Sequence, residues 1–158
     1  MTQLLNTLLT QEAELQFEKF TNEDALQLGL LILSKARALN GKPVTIDISR
    51  NNQRLFHFAM DGTCPDNGEW IQRKTRTVLR FGHSSYYVGQ YIGSQGKSIE
   101  EKYMVSEKEY AAHGGAFPLT IKNVGIVGAI AVSGLAQQDD HQLVVDSIQE
   151  YLGASQQA

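Results

Sequence analysis

Two apolar runs separated by turn-forming residues mark the C-terminal half of the chain. Between His113 and Gly134 they meet at Lys122-Asn123-Val124-Gly125, so the stretch reads as a Gly114-Gly115 loop, a strand, a tight turn and a second strand. In the second run Ile126, Gly128, Ile130 and Val132 share one face, and Val127, Ala129, Ala131 and Ser133 share the other. Neither face is solvated, which places this strand in the middle of a sheet with cover above and below. Gly128 packs nothing there, and so implies close approach of a helix, another backbone or a ligand.

Helical periods surround this hairpin. Leu4, Leu5, Leu8 and Leu9 form the stripe of a short first helix that packs on the body or on another subunit. Leu15 and Phe17 alternate with Gln16 and Glu18 as a short strand. Thr21 and Asp24 then start a helix whose stripe is Ala25, Leu28, Gly29, Ile32, Leu33, Ala36 and Leu39, ended by Asn40-Gly41 and Pro43. Val44 to Ser49 and Leu55 to Met60 form a hairpin around Asn51 and Asn52. The register that sets Ile46 against Phe58 keeps one face apolar; a slip of one residue mixes both faces. The same register sets Asp47 opposite His57, a pair able to hold the imidazole by a hydrogen bond or to serve structure alone.

After the turn at Asp61-Gly62-Thr63, Pro65 suits the first position of a helix carrying Trp70, Ile71, Lys74, Val78, Leu79 and Phe81. Arg73, Arg76 and Arg80 give it a basic side. Ser84 and Ser85 cap an aromatic helix with Tyr86, Tyr87 and Tyr91 that ends near Gly93, and Glu100 to Tyr110 forms short helical turns. The last helix begins near Ala136, has Asp139 and Asp140 in its first turn, and buries Leu143, Val144, Ser147, Ile148 and Tyr151. Gly153 is expected to stop it, leaving 154–158 as a frayed tail. The fold class is therefore α+β: roughly five antiparallel strands with helices on both sides, in one domain over 1–153.

A net charge of −3 with 20% charged residues gives no electrostatic footprint for nucleic acid or an anionic membrane. No apolar run approaches the roughly 20 residues that span a bilayer, and no charged lead with an apolar h-region follows Met1, so a cytoplasmic protein is expected. The single cysteine, Cys64, makes no internal disulfide; it lies near a helix start, but no base stands beside it in the sequence.

The candidate chemistry gathers around the central hairpin. His113 precedes the Gly pair, and a hairpin can bring it to the same end of the sheet as Ser133, Asp140 and His141, a group suited to proton transfer or to a metal held by His113 and His141. No metal-motif spacing is present. Ser133 lacks the Gly-x-Ser-x-Gly elbow of a hydrolase, and the segment from Gly93 to Ser98 lacks the glycine spacing of a phosphate loop. Free amides at Gly114 and Gly115 can hold an anion, and Arg73 or Lys74 can recognise a carboxylate unless they belong to a solvated basic face.

At these residues the chain resembles the haem-degrading domain family of GlcG-like and HbpS-like proteins, and more closely its uncharacterised UPF branch. The resemblance rests on Trp70-Ile-Gln-Arg-Lys74, Ser84-Ser85, the segment His113 to Pro118, and Val132-Ser-Gly-Leu135 followed by Asp140-His141, and it covers nearly the whole chain. It implies a profilin-like sandwich, a homo-oligomer, and haem or another small ligand. Three readings follow. The first is a ligand-binding module taking haem or a carboxylated metabolite near the Gly-Gly loop, with His113, Gly114, Gly115, Ser133, Asp140 and His141 facing a wall of Trp70, Arg73 and Lys74. The second is an interaction scaffold using the leucine-rich first helix and the tyrosines. The third is an enzyme using His113 for acid/base or metal chemistry.

Overall fold

The apolar run Gly125–Ser133 is an interior strand, β4, of a four-stranded antiparallel sheet ordered β2-β1-β4-β3, with β1 Thr45–Arg50, β2 Gln53–Ala59 and β3 Ala116–Ile121. This is a computed structural model, and it describes residues 2–155. The helices are α1 Thr2–Glu14, α2 Asn22–Ala38, α3 Pro65–Phe81, α4 Ser85–Ser94, α5 Ile99–Tyr103 and α6 Gln137–Ser155. Helix α2 opens on a capping box between Thr21 and Asp24, and Gly82 closes α3 in the left-handed conformation.

Both faces of the sheet are covered. Ile130 and Val132 of β4, with Ile46, Ile48, Phe117 and Leu119, pack beneath α2 and α6 in the main core. On the other face Ala129, Ala131 and Ala116 meet Ile71 and Val78 of α3. Alanines bring that helix close to the strands, which matters for what α3 carries at the end of the sheet. Gly128 is explained by a second backbone: a Cβ there would lie 2.0 Å from the Ser49 carbonyl oxygen of β1.

The first hairpin adopts the register that keeps Ile46 opposite Phe58, with Asn51 and Asn52 both at positive φ in the turn. A bulge after Ile48 shifts the pairing near the turn. Asp47 accepts a hydrogen bond from His57 Nδ1 at 2.8 Å and an ion pair from Arg54 Nε at 2.8 Å on the same oxygen.

Three expectations are corrected. The sheet has four strands, not five: Phe17 makes only an isolated bridge, donating to Thr120 O at 2.8 Å and accepting from Lys122 N at 2.9 Å. The short link between α1 and the Thr21 cap leaves no room for a ladder, and Phe17 is instead a fully buried core residue edge-on to Phe20. Helix α6 runs through Gly153 to Ser155, so Ala154 and Ser155 are helical, while the rest of the expected tail, 156–158, lies outside the described residues. One glycine costs a helix about 1 kcal/mol, and packing of Tyr151 and Leu152 on the main core outweighs that. Leu39, assigned to the buried stripe of α2, is 59% exposed because it falls at the C-cap.

The leucine-rich α1 docks on its own chain. Leu8 is buried, Glu12 accepts from His83 Nδ1 at 2.7 Å and from the Ser84 amide at 3.0 Å, and Gln11 pairs with His141.

Candidate functional site

Lys74 sits at i+3 from Ile71 and four residues before Val78, on the face of α3 turned to the sheet. It is 2% exposed. Its ammonium donates to Val132 O at 2.6 Å and Gly114 O at 3.0 Å, and reaches Asp140 Oδ2 at 3.5 Å. Three donors meet three acceptors, from the end of β4, the Gly-Gly loop and the first turn of α6. Asp140 in turn accepts from the Leu135 amide at 2.9 Å and the Gly134 amide at 3.3 Å, fixing the corner between β4 and α6.

Burial shapes the electrostatics of this pair. It pushes the Asp140 carboxyl up to about 6, against the pull of Lys74 and the two amides, and it lowers the Lys74 ammonium against the pull of Asp140. Both groups move toward their neutral forms. Lys74 was expected to neutralise a ligand carboxylate; its donors are instead consumed inside the protein, so it acts as a clamp.

The Gly-Gly loop is likewise filled by the chain itself. The Gly114 amide donates to Gln137 Oε1 at 3.0 Å, and the Ala116 amide donates to Ser85 Oγ at 3.0 Å. A Cβ on Gly114 would stand 2.3 Å from the Gln137 carbonyl oxygen. One on Gly115, at φ +135°, would stand 2.2 Å from Lys74 Nζ. The glycines serve close packing, and the Gly114 amide expected to hold an anion already has a partner.

What faces solvent is a wall made by Trp70 and His113, edge to face with ring centres 5.2 Å apart. The Arg73 guanidinium lies 4.2 Å over the Trp70 ring. A cleft opens on each side of this wall. One, of about 320 Å³, is lined by Trp70, Lys74, His113, Gly114, Ser133 and Asp140, with Asp66, Asn67 and Gln137 at its rim. The other, of about 310 Å³, has Arg73 and Lys97 beside Trp70 and His113. His113 is exposed, and burial of part of its ring, then Lys74 and Arg73, hold its pKa below 6.5. Its imidazole is neutral at neutral pH, with a lone pair to offer.

Ser133 and Asp140 thus share a cleft with His113, but His141 does not. It is 2% exposed, its Nε2 pairs with Gln11 Oε1 at 2.8 Å, and its ring lies against Tyr86 and Phe117. The expected convergence of His113 and His141 is therefore corrected: successive residues on α6 point about 100° apart, so Asp140 faces Lys74 while His141 faces α1 and α4. Burial lowers the His141 pKa to about 4, and its Nδ1 has no hydrogen-bond partner among the described residues. Among the described residues no group of three or more His, Cys, Asp or Glu side chains is placed to hold a metal ion.

Lys97 was missed because it lies far in sequence from the hairpin, in a loop read only as a rejected phosphate loop. The burial of Lys74 had a signal, a lysine in phase with Ile71 and Val78.

Known proteins are similar to this chain in sequence and in fold. The model of the family described as haem degrading protein HbpS-like matches residues 20–149. A UPF0303 protein of Streptomyces coelicolor is 48% identical over 143 residues, covering 90% of each chain. The crystal structure of the Ybr137w protein superposes with a TM-score of 0.89 at 39% identity, over 96% of this chain and 89% of that one. The crystal structure of a PduOC:heme complex shares the fold, with a TM-score of 0.68 at 16% identity over 82% and 93% of the two chains. With most of its length matched by the family model, and with UPF0303 relatives at this identity, the chain belongs to the HbpS-like haem-degrading protein family.

Proposed function

We propose that the protein is a small-ligand-binding module that takes a carboxylated ligand, with haem as the leading candidate, at the paired clefts on either side of Trp70 and His113. The observation that carries this reading is the wall itself: an aromatic face, an uncommitted neutral imidazole and the Arg73 cation converge on open clefts, with Lys97 in one of them. Each cleft is near the lower end of the roughly 300 to 1,000 Å³ common for ligand pockets, so one cleft suits a small carboxylate and haem would draw on both. The donor set fits that group: His113 would ligate the iron, and Arg73 and Lys97 would pair with the propionates. The haem complex of PduOC and the family's description support haem in particular. Bound haem would supply redox-active iron; the chain's own part is to hold and orient it.

The profilin-like sandwich and the homo-oligomer implied by the resemblance belong to the same reading. Self-association is supported by Leu26 and Leu30, one turn apart and half exposed on α2, beside the edge strand β2 with its exposed Phe58.

Trp70 is the only tryptophan, so its fluorescence reports on the proposed wall directly. Titrating the protein with small dicarboxylates and with haem, on material whose mass is read by light scattering, should give saturable quenching that Arg73→Ala weakens about tenfold or more, a loss in line with a charge-assisted contact. No saturable change with any of them would refute the reading, and a single-subunit mass would refute self-association.

A further inference from the structure

The two clefts beside the Trp70 wall carry opposite charge. Arg73 and Lys97 line one of them against the single carboxylate of Glu107. The other sets Asp66 and Asp140 against Lys74, whose ammonium is already spent on Val132 O, Gly114 O and Asp140. An anion therefore meets two cations in the first cleft and no uncommitted cation in the second.

What the second cleft offers instead is Ser133. It is the last residue of β4, 5% exposed, and it follows Ala129 and Ala131 on the face turned to α3. Its carbonyl accepts from Asn67 Nδ2 at 3.4 Å, but its hydroxyl makes no hydrogen bond within the described residues. Among those residues the unpartnered side-chain polar atoms sealed from solvent are Thr45 Oγ1 and His141 Nδ1 alone, so the Ser133 hydroxyl is open to the cleft that it lines. The polar groups around it are committed: Gln137 Oε1 accepts from the Gly114 amide, Asn67 Oδ1 from the Cys64 amide, and Asp140 from the Leu135 and Gly134 amides. Nearly every buried polar group has a partner, so a hydroxyl left free among satisfied neighbours marks where a ligand group completes the pattern. His113 adds a ring N–H and a lone pair on the wall of the same cleft.

We propose that this cleft is the subsite for an uncharged primary carboxamide, and that the ligand is a small carboxylate bearing one: the carboxylate end lies with Arg73 and Lys97, the amide end with Ser133 and His113. This subsite rests on the reading that a carboxylated ligand sits at the Trp70 wall, and it names the class of that ligand. A carboxamide both donates and accepts, as a hydroxyl and a neutral imidazole do, and it brings no charge to a cleft that already holds an excess of carboxylate. A second carboxylate in its place would face Asp66 and Asp140 with no free cation to offset them.

Tryptophan fluorescence of the whole chain separates the two ends. Succinate, glutarate and adipate are titrated beside their monoamides, with haem alongside. At least one monoamide should bind about tenfold tighter than the dicarboxylate of the same length, the worth of a completed hydrogen bond and an avoided like-charge contact. Ser133→Ala should erase that preference by weakening the monoamide alone, and its persisting dicarboxylate binding shows that the variant folds. Ser133→Cys, closer in volume and a weak hydrogen bonder, should lose the preference in the same direction. Wild-type protein that binds each dicarboxylate as tightly as its monoamide, or a Ser133→Ala protein that keeps the preference, would overturn the subsite. Quenching by haem with no response to either series would also overturn it, while leaving the Trp70 wall as a ligand site. No response to haem or to either series would refute the ligand reading itself, and the subsite with it.

Discussion

Lys74→Met is expected to lower the unfolding free energy by about 3 to 5 kcal/mol, the range found when one partner of a buried ion pair is removed. The substitution fits the volume but leaves two backbone carbonyls, Gly114 O and Val132 O, without their donor, and Asp140 without its cation. Each orphaned buried acceptor costs about 1 to 3 kcal/mol, so the carbonyls alone account for much of the effect. Lys74→Met/Asp140→Asn should recover only part of the loss, since the second change relieves the charge but not the carbonyls. Urea unfolding of the three proteins checks this. If the single variant is within about 1 kcal/mol of wild type, Lys74 is not the clamp described.

The second large effect is in pH dependence. Asp140 is raised from 3.8 to about 6, so between these values the folded state binds more protons than the unfolded state, and stability falls as pH rises through that window. His141 is lowered from 6.5 to about 4, so there the unfolded state binds more protons, and stability falls as pH drops through 6.5 toward 4. Each shift is worth at most about 3 to 3.5 kcal/mol at 1.36 kcal/mol per pK unit. The two opposed slopes should nearly cancel in the wild-type protein. His141→Gln should expose the Asp140 slope, with stability decreasing from pH 4 to 6; Asp140→Asn should expose the His141 slope, with stability increasing. His83, raised by its bond to Glu12, contributes below 6.5, loses its contribution only as pH rises through its raised folded value, and is common to both variants. Chemical denaturation at each pH measures the slopes. Slopes of the same sign in both variants would contradict the assignment.

Much of the fold is legible in the sequence because it is written in periods. The two-residue alternation in β1 and β2 decides their register, and with it the Asp47–His57 pair. The two apolar faces of β4 place it inside the sheet. The stripe Leu143, Val144, Ser147, Ile148 and Tyr151 is buried along α6 as its spacing implies. What escapes is tertiary. Whether Gly153 ends a helix depends on whether Tyr151 and Leu152 find a core, and whether residues near Phe17 form a strand depends on the length of edge left beside β3.

The candidate cleft was legible in the residues that line it more than in what each of them does there. Trp70, Lys74, His113, Gly114, Ser133 and Asp140 do line one cleft, and Arg73, over the Trp70 ring, lines the neighbouring one. A lysine that clamps and a lysine that binds look alike in one dimension, because only the acceptors around the ammonium tell them apart. Asp140 and His141 are adjacent in sequence, and helix geometry alone sends one to Lys74 and the other to Gln11.

The most direct test of the ligand reading is a haem titration of the size-fractionated apo protein, followed at the Soret band and repeated with His113→Ala. A saturable, near-stoichiometric change that is lost in the variant is the expected result, since His113 offers the lone pair at the wall. A shallow rise, equal in both proteins, would show nonspecific adsorption and contradict haem ligation at this site.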